Sequence, residues 1–288
     1  MKHTGKKIVI RIFLGVGLSG VFLSLWTTMA EKEAHYTPDY PMENLEEYLK
    51  KEELTREEYT LLFQQTGLGR AAVDELRRNG NLAIVKELQQ DFFEEVQVCC
   101  EANTIISREE LLDCVSRASP VEIPIVEEGD ILITFNCHVL GWRVGHAGIV
   151  VDAEDRLTLE ARVLGSDSAV LSLEHWRSYP SFAVLRLRGI GKEKRQEIAE
   201  YARTHLEALP YQLTAGLLPT ADRSKTEEAI PGTQCAHLVW YAYKQYGYEL
   251  DSDGGSIVTP RDLFDSPLLE VVQIYGMDVR KLKFYKES

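Results

Sequence analysis

Positive charge is scarce in this 288-residue chain: 32 Lys and Arg stand against 45 Asp and Glu, for a net charge of −13. No nucleic-acid partner is expected, because meeting a phosphate backbone requires basic patches. No Gly-rich phosphate loop is present, so nucleotide chemistry has no cradle. Cysteine is sparse as well. Cys99, Cys100, Cys114, Cys137 and Cys235 are too few for a disulfide scaffold at this length. Their odd number leaves at least one thiol free unless a bond forms between molecules. Cys235 is the expected free thiol, and pairing of Cys99 or Cys100 with Cys114 stays open. There is no internal repeat and no low-complexity stretch. The N-terminal apolar run, Ile12 to Trp26, is 15 residues long and short for a comfortable membrane span.

What is there is ordinary globular material, 44% apolar and 27% charged, enough for one large domain or two modest ones. Lys2, Lys6, Lys7 and Arg11 lead into the apolar run, and Thr28-Met29-Ala30 follows with small residues where a signal peptidase reads. Residues 1–30 are read as a cleaved signal peptide. The alternative is an uncleaved anchor, with Ile8 to Ile10 extending the run if Arg11 snorkels. Either way the protein is expected outside the cytoplasm, secreted or tethered to the membrane by this segment. Without residues 1–30 the net charge is −17, which favours solubility and disfavours anionic surfaces.

Residues 31–41 read as a linker, and 31–118 as a helical accessory region. Thr55-Arg56-Glu57-Glu58 is a capping box, followed by Tyr59, Leu62 and Phe63 at helical spacing. Further helices are expected from Arg70 to Asn79-Gly80 and from Leu82 to about Val98. Another is expected from a second capping box at Ser107-Arg108-Glu109-Glu110. Past Ser119-Pro120 the periodicity changes. Short apolar runs predict strands at 129–135, 146–151, 156–163 and 181–188, with one more in the tail after Glu270. Helices are expected at 191–206, from Cys235 to Gly247, and from Thr259-Pro260. Strands with helices covering one side indicate an α+β fold, with residues 119–288 as the second domain.

Cys235 sits in Gly232-Thr233-Gln234-Cys235-Ala236-His237, at the expected first turn of a helix. The helix dipole there favours thiolate, the nucleophile of acyl transfer. His146, which comes 89 residues earlier, is the candidate base. Folding the chain back about Ala153 makes a hairpin in which Glu160 lies opposite His146. A carboxylate there would fix the imidazole tautomer. A turn one residue longer would put Leu159 or Ala161 opposite instead.

Six segments carry a resemblance: Gly129-Asp130-Ile131, His146-Ala147-Gly148-Ile149-Val150, Leu159-Glu160-Ala161, Val184-Leu185-Arg186-Leu187, Cys235-Ala236-His237-Leu238-Val239-Trp240 and Thr259-Pro260-Arg261-Asp262-Leu263. In this order they resemble the circularly permuted papain-fold amidases of the YiiX/YebB type, relatives of the NlpC-type cell-wall peptidases. The resemblance covers roughly residues 119–275. It implies a permuted papain-like (NlpC-like) domain, with a nucleophile helix on an antiparallel sheet. It also implies Cys235 as nucleophile, His146 as base and Glu160 as orienting residue. Tyr211, after Pro210, resembles a tyrosine that lines the site, and Gln234 is taken with it as facing substrate. No metal or cofactor is expected. Cys137, His138, His146, Cys235 and His237 lack the spacing of zinc motifs. The expected substrate is a cell-wall peptide or a related amide. The alternatives are a lipid acyltransferase or thioesterase of the lecithin-retinol-acyltransferase type, whose histidine also precedes its cysteine, and a domain that has kept the fold and lost activity.

Overall fold

The computed structural model describes residues 34–102, 106–111, 121–139, 142–215, 230–255 and 257–282, together with positions 17, 19 and 20. The segment read as a signal peptide or anchor, and Cys114, lie outside the described residues. Among those described, no helix is long and apolar enough to cross a membrane.

From residue 34 on, the described residues begin with four helices, α1 (Glu46–Leu49), α2 (Arg56–Thr66), α3 (Arg70–Arg78) and α4 (Leu82–Phe93). Thr55 and Glu58 cap α2 reciprocally, as the capping box predicts. The next elements depart from expectation. Val98–Ala102 and Ile106–Leu111 are strands β1 and β2, where a helix end and a new helix are expected from sequence. They pair with β4 (Cys137–Val139) and β5 (Trp142–Arg143) in the sheet β1-β2-β4-β5. A capping box is satisfied locally, and here its end residues are drawn into strand pairing instead, Ser107 opposite Ala102 and His138 and Glu110 opposite Cys99. The Glu109 carboxylate accepts two bonds from Arg143, at 2.7 and 3.1 Å, and the Glu109 carbonyl accepts from the Asn136 amide. Tertiary bonding overrides a local signal.

The main sheet has the order β10-β9-β3-β6-β7-β8, with every pair antiparallel. Its strands are β3 (Ile131–Thr134), β6 (His146–Asp152), β7 (Leu157–Glu160), β8 (Ala169–Ser172), β9 (Phe182–Leu187) and β10 (Leu269–Tyr275). β3 and β9 are buried along their whole length, as central strands should be. Helices α5 (Lys192–His205) and α6 (Cys235–Lys244) pack on β6, and α7 (Pro260–Phe264) joins α6 and β3. The result is an α+β fold with antiparallel sheets.

The N-terminal helices close the edge of β10. Gly67 accepts from the Ile274 amide at 2.8 Å, and Gly69 donates to the Val272 carbonyl at 2.9 Å. Gly67 ends α2 at φ +70°, and a Cβ there would lie 2.0 Å from the Ile274 carbonyl oxygen. Only glycine permits both the left-handed turn and that approach.

Two of the six motif segments meet in a buried ion pair. Arg186 on β9 donates from Nε and Nη2 to the two oxygens of Asp130, each at 2.7 Å. Its Nη1 reaches Glu127 at 2.8 Å, and Arg195 of α5 closes the other Glu127 oxygen. Asp130 is fully buried. These residues tie β9, the entry to β3 and α5 together, well within the scaffold.

Candidate active site

His146 opens β6, and Thr134 lies opposite it on β3. Glu160 ends β7. The β6–β7 register pairs Ile149 with Leu159 and Val150 with Thr158, and a bulge follows at Val151. The hairpin is thus longer by one residue pair than the turn about Ala153 implies, which corrects the sequence reading. Gly148, not His146, stands opposite Glu160. The side-chain period of two keeps His146 on the same face, one pair along the diagonal. The contact still forms, with His146 Nε2 2.7 Å from Glu160 Oε2. Gly148 makes it feasible, because a Cβ there would lie 2.9 Å from Glu160 Cγ and 3.3 Å from Trp176 Cζ2. Glu160 leans across the space that a side chain would fill. Gly148→Ala should displace the carboxylate and slow modification of Cys235 by an electrophile about 100-fold, the size of effect that ångström-scale misplacement brings. Circular dichroism should show the fold retained.

The carboxylate is held on its other side too. Glu160 Oε1 accepts from Thr158 Oγ1 at 2.5 Å and from Trp176 Nε1 at 2.9 Å. The Trp176 ring stacks on His146, with centroids 5.4 Å apart and planes 16° from parallel. Burial opposes ionisation of Glu160, but the bonds and charges of His146 and His175 outweigh it and hold the carboxyl well below the usual range. Burial pushes His146 below an ordinary imidazole, against the pull of Glu160. Thr158 was legible as the same-face neighbour two residues before Glu160. Trp176 and His175, on a 3-10 turn (Leu173–Ser178), carry no sequence signal that ties them to this strand.

Cys235 is the first residue of α6. Its thiol is pushed up to about 12 by burial, with the backbone N–H groups of Ala147 and Ala236 pulling the other way. The helix that Cys235 opens packs on β6, the strand that His146 opens. Burial thus opposes the thiolate that the helix start favours. Gln234 caps α6: its Oε1 accepts from Ala236 N at 2.9 Å and lies 3.4 Å from Cys235 Sγ, and its Nε2 donates to Val258 O at 2.6 Å. The amide expected to face substrate is engaged in capping the helix that Cys235 opens. Tyr211 lies beside Thr233 in a parallel bridge, and burial raises its phenol. His237 is a buried core residue, its Nδ1 3.1 Å from Thr233 Oγ1 and its ring tilted against Trp240 and Tyr241.

Cys235, Tyr211 and Gln234 line one pocket of about 460 Å³, together with residues of β4, β5 and α7. Arg261 lies over the Phe135 ring at 4.2 Å, and both are in the wall. Val144, Leu213 and Ile257, 40, 53 and 37% exposed, give the mouth an apolar rim. Among the described residues, the group that brings three potential metal-ligand atoms within 4.8 Å of one another is Asp251, Asp253 and Asp262. Asp262 is engaged in the capping box of α7.

The fold is a mixed α+β arrangement of antiparallel sheets with a cysteine at a helix start. No family model matches the chain, and no curated protein does. A solved structure described as metalloprotein yiiX from Escherichia coli O157:H7 is similar over 51% of this chain and 96% of that chain, at 16% sequence identity and a TM-score of 0.39. The likeness is distant.

Proposed function

We propose that the chain is a cysteine hydrolase that acts outside the cytoplasm and cleaves an amide through an acyl-enzyme, with cell-wall peptide or a related amide as substrate class. The observation that carries this reading is the buried His146–Glu160 pair on β6 and β7, against which packs the helix that Cys235 opens. Glu160 accepts a hydrogen bond from the Nε2–H of His146, which leaves Nδ1 as the basic nitrogen. Cys235 and His146 rest uncharged beside the Glu160 carboxylate. His146 therefore removes the thiol proton as sulfur attacks the carbonyl, and Glu160 steadies the imidazolium that forms. The backbone N–H of Cys235 supports the oxyanion, a contact worth about 3–4 kcal/mol. His146 then protonates the leaving group, and water releases the acyl group.

A second reading, hydrolysis or transfer of an ester- or thioester-linked acyl chain, is favoured by the apolar rim of Val144, Leu213 and Ile257. Incubation with purified cell wall separates the two. Released peptide supports the first, whereas cleavage of acyl esters alone, faster with longer chains, supports the second.

The test of the nucleophile is modification by an electrophilic probe across pH. Label should map to Cys235. The rate should rise as His146 becomes neutral, with its midpoint below the ordinary imidazole value of 6.5. A midpoint near 8.5, the value of an unassisted thiol, would remove His146 from the mechanism.

A further inference from the structure

Among the described residues, the Cys235 pocket is lined by two charged side chains, Arg143 and Arg261, and by no carboxylate. In a chain with 45 Asp and Glu, that selection bears on what the pocket receives. Arg143 is already answered, because Glu109 accepts from both of its terminal nitrogens, at 2.7 and 3.1 Å. Arg261 is exposed and held in another way. Its guanidinium lies 4.2 Å over the Phe135 ring and 5.5 Å over the Phe264 ring. Those rings meet edge to face, 5.6 Å apart with 79° between their planes. Among the described residues no carboxylate pairs with Arg261. The adjacent one, Asp262, is turned into the cap of α7, where Oδ2 accepts from Thr259 N at 2.8 Å and Thr259 Oγ1 at 2.6 Å. That cap, with Pro260 behind it, fixes Arg261 in the first turn of α7. Gly145, the residue before His146, lets the Phe135 ring come in beneath it. A Cβ there would lie 3.0 Å from Phe135 Cδ1 and 3.4 Å from Pro260 Cβ.

We propose that Arg261 sets the specificity of this pocket by pairing with a carboxylate that the substrate carries close to the bond Cys235 attacks. The substrate class is then a peptide or acyl amide with a free carboxylate beside the scissile bond. The bond cleaved rests on the hydrolase reading, whereas the anion site stands on the pocket alone. Stacking on aromatic rings uses the face of a guanidinium and leaves its N–H groups, which lie in the plane, at the edge. It orients the fork without cancelling the charge. The two oxygens of a carboxylate match that fork, and one unanswered cation suits one negative charge. The apolar rim of Val144, Leu213 and Ile257 seats the hydrocarbon part of the same molecule.

The experiment uses two pairs of small molecules on the full chain, each pair differing by one negative charge. Chloroacetyl-leucine and chloroacetyl-leucinamide are the labels, from which sulfur displaces chloride. Acetyl-leucine and acetyl-leucinamide are the unreactive ligands, measured by titration calorimetry. In the parent the carboxylate form should label Cys235 about tenfold faster at low concentration and bind about tenfold more tightly, the size of a charge-assisted contact. Both ratios should fall toward one in Arg261→Gln. They should stand between in Arg261→Lys, which keeps the charge and loses the fork. A ratio cancels any general loss of reactivity, so damage that is merely structural leaves it unmoved. Added salt should lower the parent ratios with no variant needed, because Arg261 is exposed. Parent ratios near one, ratios indifferent to salt, or a tenfold preference that survives in Arg261→Gln overturn the proposal. Tenfold tighter binding of the carboxylate while neither label marks Cys235 sinks the hydrolase reading and leaves the anion site standing.

Discussion

Cys235→Ala should lower turnover by at least about 10⁴-fold, the scale on which loss of a nucleophile acts when its partners remain in place. The fold should be unaffected. Cys235 is a small residue on the buried face of α6, and Ala keeps the helix start while Gln234 still caps it. Cys100→Ala is the matched control: that thiol is exposed on β1, on the second sheet, and its loss should leave turnover within about twofold. The assay is hydrolysis by both variants at equal folded concentration, verified by thermal melts. Equal activity of Cys235→Ala and the parent refutes the nucleophile.

Asp130→Ala should cost about 3–5 kcal/mol of stability, the range found when one partner of a buried pair is removed. In a chain of this size that lowers the Tm by roughly 10 °C. The asymmetry of the pair is the sharper part of the prediction. Arg186 cannot shed its charge, so losing Asp130 leaves a buried cation held by Glu127 alone. Losing Arg186 leaves Asp130, which can take up a proton and become neutral. Arg186→Met should therefore be the milder change. Calorimetry of the two variants side by side decides it, and equal losses would show that strand packing rather than charge governs this corner.

The course of the second half of the chain was legible because its signals are local and mutually consistent. The thiol at a helix start, the Thr259 cap with Pro260 behind it, and the apolar runs of β3, β6 and β9 each lie where periodicity and capping put them. The pairing of His146 with Glu160 was legible in its face and not in its register. Period two survives a slip of one residue pair, but the bulge at Val151 is a backbone event with no composition of its own. Of the strands at 98–111, β1 pairs with the adjacent β2, and β2 pairs with β4 well beyond it; a capping-box tetrapeptide says nothing about either pairing. The burial of Cys235 was illegible for a related reason. A helix start is visible in sequence, whereas the depth at which it is buried is set by β6 and the pocket wall.

The stretch from 67 to 69 lies along β10 as a short extra strand, and β2 feeds the small sheet built around β4. A version of the protein trimmed to begin near residue 119 would thus be left with a bare row of amides and carbonyls on its outermost strand, and with β4 stripped of its neighbour. Such an edge recruits whatever backbone it meets, first of all that of an identical molecule. Residues 67–69 and β2 shield these edges from self-stacking.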